Sequence, residues 1–450
     1  MSAIQKKPCR GVVLGGGGSK GSYEVGVWQA MVELGLDWQV VTGTSVGALN
    51  GALMALDALD EALEMWSNLD NTRVMSEIPA ATGDSLRGVY RAFLSQMVKN
   101  GGVDVTPLEE TIRRLADEDK LRSSPIEFGI VTVELATLRP VEWFLPQIPQ
   151  GQVADFLLAS AACFPAFRPR DIGGTAFVDG GYANNIPIDL ALRAQHRPTE
   201  ILAIDVEGIG VVRPVPSEVP VTTLRCYWDL GNILIFDSAR CRRNIRLGYL
   251  DGMKVLGSYG GCAYTFAAGE VAALEALRLN SLSRVFLLVL QEVSPNQKRS
   301  LGALLAGRIL AAAAKRRITT GYELDLRELL QASGELAAEL LKLEPTELYT
   351  AAGFEQDLTQ RFLLLCQQTG EALAGVKKLR ELNLRALIGS IKKEQLLLLA
   401  SELLHRQLTT KDSPVTLELL ATLLPREFLA AIYLEALLYH PIAVIPEVSQ

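Results

Sequence analysis

Residues 43–47 read Gly-Thr-Ser-Val-Gly, so that Ser45 stands between Gly43 and Gly47 in the pattern G-x-S-x-G. The pentapeptide follows a short apolar run at 38–41 and precedes a helical pattern at 48–56. A serine at a tight turn from strand to helix projects its hydroxyl from the end of a sheet, and the glycines leave room for neighbouring backbone. Ser45 is therefore a candidate nucleophile. The alternative is a turn whose serine only caps the helix, since serine is a favoured N-cap residue.

A serine nucleophile needs a general base, which is most often a histidine. The chain contains three histidines, His196, His405 and His440. None of them follows a predicted strand: His196 lies in a loop, His405 in a charged helical stretch, and His440 directly before a proline. If Ser45 is catalytic, this scarcity favours a carboxylate as its base.

Asp179 is the carboxylate that fits this role. It ends an apolar run at 175–178 and is followed by Gly180 and Gly181, which let the backbone turn sharply and approach closely. In a dry site, a lone carboxylate can orient a serine hydroxyl and accept its proton. An ordinary Asp-Gly turn is the alternative interpretation.

A glycine-rich loop at 15–21 lies between an apolar run at 12–14 and a helical pattern at 22–35. Consecutive glycines let backbone N–H groups converge at a helix N-terminus, where the helix dipole favours negative charge. Such a loop can hold a phosphate or the oxyanion of an attacked ester.

Nucleotide binding is a second interpretation of this loop, because Gly16, Gly18 and Gly21 satisfy the dinucleotide fingerprint G-x-G-x-x-G. That fingerprint expects an acidic residue at the end of the second strand, where this chain has Thr42. A P-loop does not fit either, since Lys20 is followed by glycine and not by serine or threonine.

The elements around these motifs alternate between strand-like and helical patterns, which predicts an α/β fold with a mostly parallel sheet and helices on its faces. Strands are predicted at 12–14, 38–42, 128–135, 175–178, 200–206 and 285–290, with 141–144 as an antiparallel partner of 128–135. Helices are predicted at 22–35, 48–56, 153–162 and 186–194, and the region 57–125 is predicted to be mostly helical.

Over residues 9–290 the chain resembles the patatin-like phospholipases. The resemblance rests on 16–21 as the family's glycine loop, 43–47 as its serine turn and 179–181 as its aspartate motif, with 159–165 and 184–187 as flanking blocks. It implies a three-layer α/β/α fold and hydrolysis of acyl lipids through an acyl-enzyme.

The same resemblance implies roles for individual residues. Ser45 would be the nucleophile, Asp179 the base, and Gly16, Gly17 and Gly18 the oxyanion hole. Two departures from the family pattern, Gly15 in place of aspartate and Lys20 in place of the more frequent arginine, flank the loop and do not perform the chemistry.

Composition limits the class of protein. The formal charge of −7 disfavours nucleic-acid binding, and a content of 49% hydrophobic residues indicates a folded globular chain. Six scattered cysteines without C-x-x-C spacing indicate free thiols and no zinc site. The N-terminus is polar and no apolar run reaches eighteen residues, so we expect a cytoplasmic protein. We also expect that it needs neither a cofactor nor a metal.

From residue 295 onward the sequence is rich in Leu, Ala, Glu, Lys and Arg and predicts an all-helical domain. The expected organisation is a catalytic domain at 1–294 and a helical domain at 295–450, with amphipathic helices at 304–318, 336–343, 360–368 and 396–404. We expect the helical domain to serve in packing or homo-oligomerisation; a ligand or lipid site is the alternative.

A further amphipathic helix is predicted at 231–251. A solvated face is the expected interpretation of its four arginines, and contact with lipid headgroups is the alternative: Arg240, Arg242, Arg243 and Arg246.

Three functions are consistent with these features. The first is a serine-dependent hydrolase of phospholipids or other acyl lipids that works at a membrane surface. The second is a non-catalytic lipid-binding or regulatory protein that has kept the fold. The third is a nucleotide-binding enzyme built on the glycine loop.

Overall fold

A computed structural model of the chain describes residues 8–76, 103–292, 326–369, 388, 392, 395–411, 413 and 415–439. The chain divides into two compact units, Met1–Gly257 and Ser258–Gln450. Each unit is described by itself.

The first unit contains one eight-stranded sheet and the helices that cover it. Its strands are β1 (Arg10–Leu14), β2 (Val40–Thr44), β3 (Glu127–Glu134), β4 (Pro140–Phe144), β5 (Arg170–Ile172), β6 (Thr175–Asp179), β7 (Glu200–Ile204) and β8 (Val221–Leu224). Its helices are α1 (Ser22–Glu33), α2 (Val46–Ala55), α3 (Leu59–Ser67), α4 (Thr106–Leu115), α5 (Glu118–Ser123), α6 (Val153–Ser160), α7 (Ile188–Leu192) and α8 (Ser238–Val255).

The sheet has the order β5-β6-β3-β2-β1-β7-β8, and β4 also pairs with β3. Parallel pairing joins β1 with β2, β1 with β7, β2 with β3, and β7 with β8. The pairs β3–β4, β3–β6 and β5–β6 are antiparallel. The predicted mostly parallel sheet is confirmed, as is the antiparallel return of β4.

Strand β3 organises the centre of this sheet because it pairs along both of its edges. On one edge, β4 pairs with residues 129–133. On the other edge, β2 pairs with 127–131 and β6 with 132–134. Strands β2 and β6 therefore lie end to end along the same edge of β3.

Both faces of the sheet are buried, which is why its parallel strands read as continuous apolar runs. Successive side chains of a strand point to opposite faces. In β1, Val12 and Leu14 accordingly join a large core with helices α1 and α2, whereas Val13 joins a smaller core with α7. This alternation gives the three layers, helix, sheet and helix.

In its described residues, the second unit is helical apart from a two-stranded parallel pair between β9 (Thr265–Phe266) and β10 (Leu348–Tyr349). Its helices are α9 (Glu270–Glu292), α10 (Leu326–Leu340), α11 (Ala351–Thr369), α12 (Leu396–Thr409), α13 (Leu417–Leu423) and α14 (Pro425–Leu438). The predicted helical C-terminal region is confirmed. The helices predicted at 336–343, 360–368 and 396–404 overlap α10, α11 and α12, while 304–318 lies outside the described residues.

The strand predicted at 285–290 is wrong, because these residues belong to α9. Leu282, Val285 and Val289 are fully buried while Leu287 is 59% exposed, so burial follows the helical period and not the alternation of a strand. Within the second unit, buried Arg278 on α9 donates two 2.6 Å hydrogen bonds to Glu355. The predicted domain boundary at 294/295 stays a prediction.

No helix within the described ranges is long and apolar enough to cross a membrane. None of the six cysteines forms a disulfide.

Candidate active site

Ser45 lies in the turn between β2 and α2, with φ 55° and ψ −127°. A positive φ is rare for a residue with a side chain, and such strain concentrates at functional sites. The flanking glycines make the turn possible: a Cβ on Gly43 would overlap the Gly47 carbonyl, and one on Gly47 would overlap the Leu14 carbonyl. The predicted need for glycine on both sides of the serine therefore follows from close backbone contacts.

The backbone of Ser45 is held by a second serine. The N–H of Ser45 donates to Oγ of Ser160 at 2.9 Å, and the Ser160 hydroxyl donates to the Val131 carbonyl at 2.6 Å. Ser160 is the last residue of α6 and is fully buried. It ties the strained turn to β3, and we regard it as a positioning residue.

We expect replacement of Ser160 by alanine to lower kcat roughly tenfold or more, with KM little changed, because the buried Ser45 N–H loses its acceptor and the turn is no longer fixed. Steady-state kinetics on a short acyl ester would measure this. A suitable control is Thr42→Val, since the buried Thr42 hydroxyl donates to the Pro187 carbonyl at 3.0 Å and does not touch Ser45. Equal losses of kcat in both variants would contradict a specific role for Ser160.

Asp179 reaches Ser45 because of the end-to-end arrangement of β2 and β6. Thr44, the last residue of β2, pairs with Val131, and Asp179, the last residue of β6, pairs with the next residue, Thr132. The two strands thus bring Ser45 and Asp179 to one point of the sheet. The Ser45 side chain lies near enough to the Asp179 carboxylate to lower the pKa of that carboxyl.

Burial is the dominant influence on the Asp179 carboxyl, and it raises the pKa from the ordinary 3.8 to about 6. The Ser45 side chain and the hydrogen bond from the Gly181 N–H favour the charged form and oppose this rise in pKa. The Gly181 N–H lies 2.8 Å from Oδ1 of Asp179. The carboxylate is therefore oriented, and it is a stronger base than one in water.

The glycine loop lies directly against the serine, since a Cβ on Gly16 would be 3.1 Å from Cβ of Ser45. The Gly16 N–H is already engaged, because it donates to the Asn185 carbonyl at 3.1 Å. The Asn185 amide donates in turn to the Gly16 carbonyl at 3.2 Å. Within the described part of the chain, the N–H groups of Gly17 and Gly18 have no acceptor.

Gly18 has φ +55°, and a side chain there would overlap the Ile233 carbonyl, so only glycine fits. Of the three glycines predicted to form an oxyanion hole, two thus have an available donor, and Gly16 instead fixes the loop to Asn185.

The remaining motif residues surround these groups. Gly21 ends the short 3-10 turn that leads into α1, and the Nζ of Lys20 donates to the Glu207 carbonyl at 3.0 Å. Gly180 comes so close to the Val131 carbonyl that a Cβ would overlap it. Lys20 therefore makes a single backbone contact at the edge of the loop, and it does not touch Ser45 in the structure.

Ser45 and Asp179 open into a cavity of about 100 Å³. Its other walls are mostly apolar and come from α2, α3, α4, α6, the segments that follow α3 and α6, and the segment before α8. The apolar side chains are Val46, Leu49, Leu53, Met65, Trp66, Leu69, Leu108, Ile112, Leu115, Leu157, Phe167, Ile233, Leu234 and Phe236. An apolar cavity with a few convergent polar groups is typical of a small-molecule site. This one suits an aliphatic chain.

The histidines lie elsewhere, among the residues that the structure describes. His196 is half-exposed, and its Nδ1 lies 3.1 Å from Glu127. Nδ1 of His405 lies 3.1 Å from Glu435 in the second unit. His440 is outside the described residues. No group of His, Cys, Asp or Glu within the described ranges could hold a metal ion.

The predicted helix at 231–251 is only partly correct, since α8 begins at Ser238 and Asp237 caps it by accepting the Arg240 N–H. Arg242 and Arg243 donate to the backbone carbonyls of Ser67 and Asp229. Arg246 lies over the Tyr249 ring. Three of the four arginines considered for lipid headgroups therefore contact carbonyl groups or a ring of their own protein, and the Arg240 side chain lies against Gly231.

Three residues of the site were not assigned a role from the sequence: Ser160, Asn185 and Arg73. Ser160 and Asn185 stand in the flanking blocks 159–165 and 184–187. The family resemblance therefore indicates that they lie near the site, but it does not indicate which groups they contact. For Arg73, which also lines the cavity, no sequence pattern gave a signal.

Residues 12–192 match a family model described as patatin-like phospholipase. A lysophospholipase of Aspergillus terreus is 54% identical over 192 residues, which cover 40% of this chain and 11% of the fungal protein. An uncharacterized NTE family protein of Mycobacterium bovis is 25% identical over 177 residues, covering 39% of this chain and 44% of that protein. The chain thus spans less than half the length of either relative.

Among solved structures, VipD from Legionella pneumophila aligns with 97% of this chain and 91% of its own, at 14% identity and a TM-score of 0.36.

Proposed function

We propose, from the premise that residues 12–192 form a patatin-like phospholipase domain, that this protein is a serine-dependent hydrolase of acyl lipids. The observation that carries the proposal is the meeting of Ser45 and the buried Asp179 carboxyl at the end of an apolar cavity. A polar pair at the end of an apolar cavity suits a substrate that has an ester group on a long hydrocarbon chain. Phospholipids and lysophospholipids are such substrates.

In the acylation step, Asp179 accepts the proton of the Ser45 hydroxyl while Oγ attacks the carbonyl carbon of the ester. The carbonyl oxygen becomes an oxyanion, for which the N–H groups of Gly17 and Gly18 are the available donors. Collapse of this intermediate breaks the ester bond. The departing alcohol takes the proton from Asp179, and the acyl group stays on Ser45.

The acyl-enzyme is then hydrolysed by water. Asp179 accepts a proton from the water molecule as its oxygen attacks the acyl carbon, and the same N–H groups stabilise the second oxyanion. Collapse returns the proton to Oγ of Ser45 and releases a fatty acid. With a pKa of about 6, Asp179 is ionised at neutral pH and can serve as the base in both steps.

We propose that the protein works at a lipid surface as a peripheral protein in the cytoplasm. Homo-oligomerisation through the helical unit stays a prediction, as does the boundary of the catalytic domain at 294/295.

The test is release of fatty acid by the purified full-length chain in the presence of EDTA. Suitable substrates are phosphatidylcholine vesicles, lysophosphatidylcholine and p-nitrophenyl butyrate. We expect release from at least the lysophospholipid and the short ester, together with covalent labelling by a fluorophosphonate probe. Binding to the vesicles with no hydrolysis of any substrate would instead favour a non-catalytic lipid-binding protein.

A further inference from the structure

Arg73 lies at the end of a short 3-10 turn, residues Asn71–Arg73, that is fixed by its own cap. Oδ1 of Asp70 accepts the backbone N–H of Thr72 at 2.9 Å and that of Arg73 at 3.2 Å. The carboxylate of Asp70 also accepts the Thr72 hydroxyl. The backbone of Arg73 is thus held in place without a ligand.

The same turn is attached to the wall of the cavity that contains Ser45. Oδ1 of Asn71 accepts the N–H of Phe236, a cavity-lining residue, at 2.8 Å. Val74, which also lines the cavity, is fully buried next to Arg73. These contacts hold the Arg73 backbone at the cavity, while its side chain is exposed.

Arg73 and Asp179 are the two charged residues among the described residues that line this cavity. Within the described part of the chain, the Arg73 guanidinium has neither a hydrogen bond nor an ion pair. Its charge helps to lower the pKa of the Asp70 carboxyl, but it is the smallest of the influences that do so. Burial, Ser45 and Gly181 account for the pKa of Asp179. Arg73 is not among the influences on that pKa.

We propose that Arg73 binds the phosphate of an anionic acyl lipid whose hydrocarbon chain occupies the cavity and whose ester lies at Ser45. This inference rests on the proposed function, because it takes the cavity as an acyl-lipid site. A guanidinium has five donors in a planar fork that matches the oxygens of a phosphate. A cation whose backbone is held beside an apolar cavity, and which has no partner among the described residues, complements a molecule with an apolar chain and an anionic headgroup.

Arg73 differs in this respect from the arginines of α8. Arg242 and Arg243 donate to backbone carbonyls of the protein, and none of the four arginines considered on α8 lines the cavity. We therefore assign recognition of the headgroup to the cavity and not to the exposed side of α8.

Binding to the Ser45→Ala protein tests this proposal whether or not the protein is an enzyme. Calorimetry would compare three monomeric ligands with the same chain: 1-decanoyl-glycerol-3-phosphate, 1-decanoylglycerol and decanoate. We expect the phosphate to bind best, and Arg73→Gln to weaken its binding roughly tenfold or more while leaving 1-decanoylglycerol unchanged. Arg73→Lys should keep part of the affinity, since it retains the charge without the fork.

Arg114→Gln is the matched control, because Arg114 is an exposed arginine of α4 that does not line the cavity. The proposal is overturned if Arg73→Gln and Arg114→Gln have equal effects, or if Arg73→Gln weakens all three ligands alike. It is also overturned if only decanoate binding depends on Arg73, since the ligand would then be the carboxylate of a fatty acid. A protein that binds the phosphate through Arg73 but hydrolyses no ester would refute the proposed function alone.

Discussion

Replacement of Ser45 by alanine is expected to abolish both ester hydrolysis and fluorophosphonate labelling. Removal of a catalytic serine leaves only the contribution of the oxyanion site and of substrate binding, so turnover should fall by about 10⁴-fold or more. The readouts are in-gel fluorescence of the labelled protein and release of p-nitrophenol. The alternative role of Ser45 as a helix cap predicts a modest loss of stability and no effect on labelling. The structure gives it no capping hydrogen bond.

Two further variants make this result unambiguous. Ser45→Gly also removes the hydroxyl but relieves the positive φ, so it should be inactive and at least as stable as the unchanged protein. Ser124→Ala removes a hydroxyl that donates to the Ala55 carbonyl at 2.6 Å, away from the cavity, and should label normally. Labelling that persists in Ser45→Ala would exclude Ser45 as the nucleophile.

Replacement of Asp179 by asparagine should lower kcat by about 10²- to 10⁴-fold, because an amide cannot accept the proton of Ser45. In the unchanged protein, kcat/KM should rise with pH through a value of about 6, as the Asp179 carboxyl ionises. The variant's residual activity should lack this dependence. Full turnover in Asp179→Asn would show that the aspartate takes no part in the mechanism. The control is Asp171→Asn, because Asp171 is an exposed residue of β5.

The same substitution should stabilise the fold at neutral pH. The folded-state pKa of Asp179 is raised, so its contribution to stability is fully present below pH 4 and is lost as the pH rises from about 4 to 6. A rise from 3.8 to about 6 corresponds to roughly 3 kcal/mol. Asparagine keeps the acceptor for the Gly181 N–H and removes the buried charge. We therefore expect a higher melting temperature at pH 8 and little difference at pH 4, measured by thermal unfolding.

Much of the site could be predicted from the sequence because its backbone geometry is local. A strand-to-helix turn with a serine requires small neighbours within two residues, and a glycine loop before a helix is visible as a run of letters. The alternating strands and helices follow from apolar periodicity in the same way. Asp179 was found because it ends a strand and two glycines follow it.

Local periodicity failed where burial depends on distant partners. The apolar run at 285–290 suited a strand, yet α9 buries only those of its side chains that face the other helices of its unit. For the arginines of the predicted helix at 231–251, a solvated face or contact with lipid headgroups was expected, but the folded chain supplies carbonyls to Arg242 and Arg243. Which face of an element is buried is decided by what packs against it.

The sequence by itself determined the residue types and the turns that present Ser45, Asp179 and the glycine loop. Only the tertiary structure decided which of these residues lie next to each other and which backbone N–H groups of the glycine loop have no acceptor. The distance between β2 and β6 along the chain is large, and their junction on one edge of β3 is a property of strand pairing. Tertiary structure likewise brings Ser160 to the Ser45 N–H, Asn185 to the Gly16 carbonyl and Arg73 to the cavity. Hydrogen bonds between residues far apart in sequence leave no local pattern, because each partner is chosen by the fold and not by its neighbours.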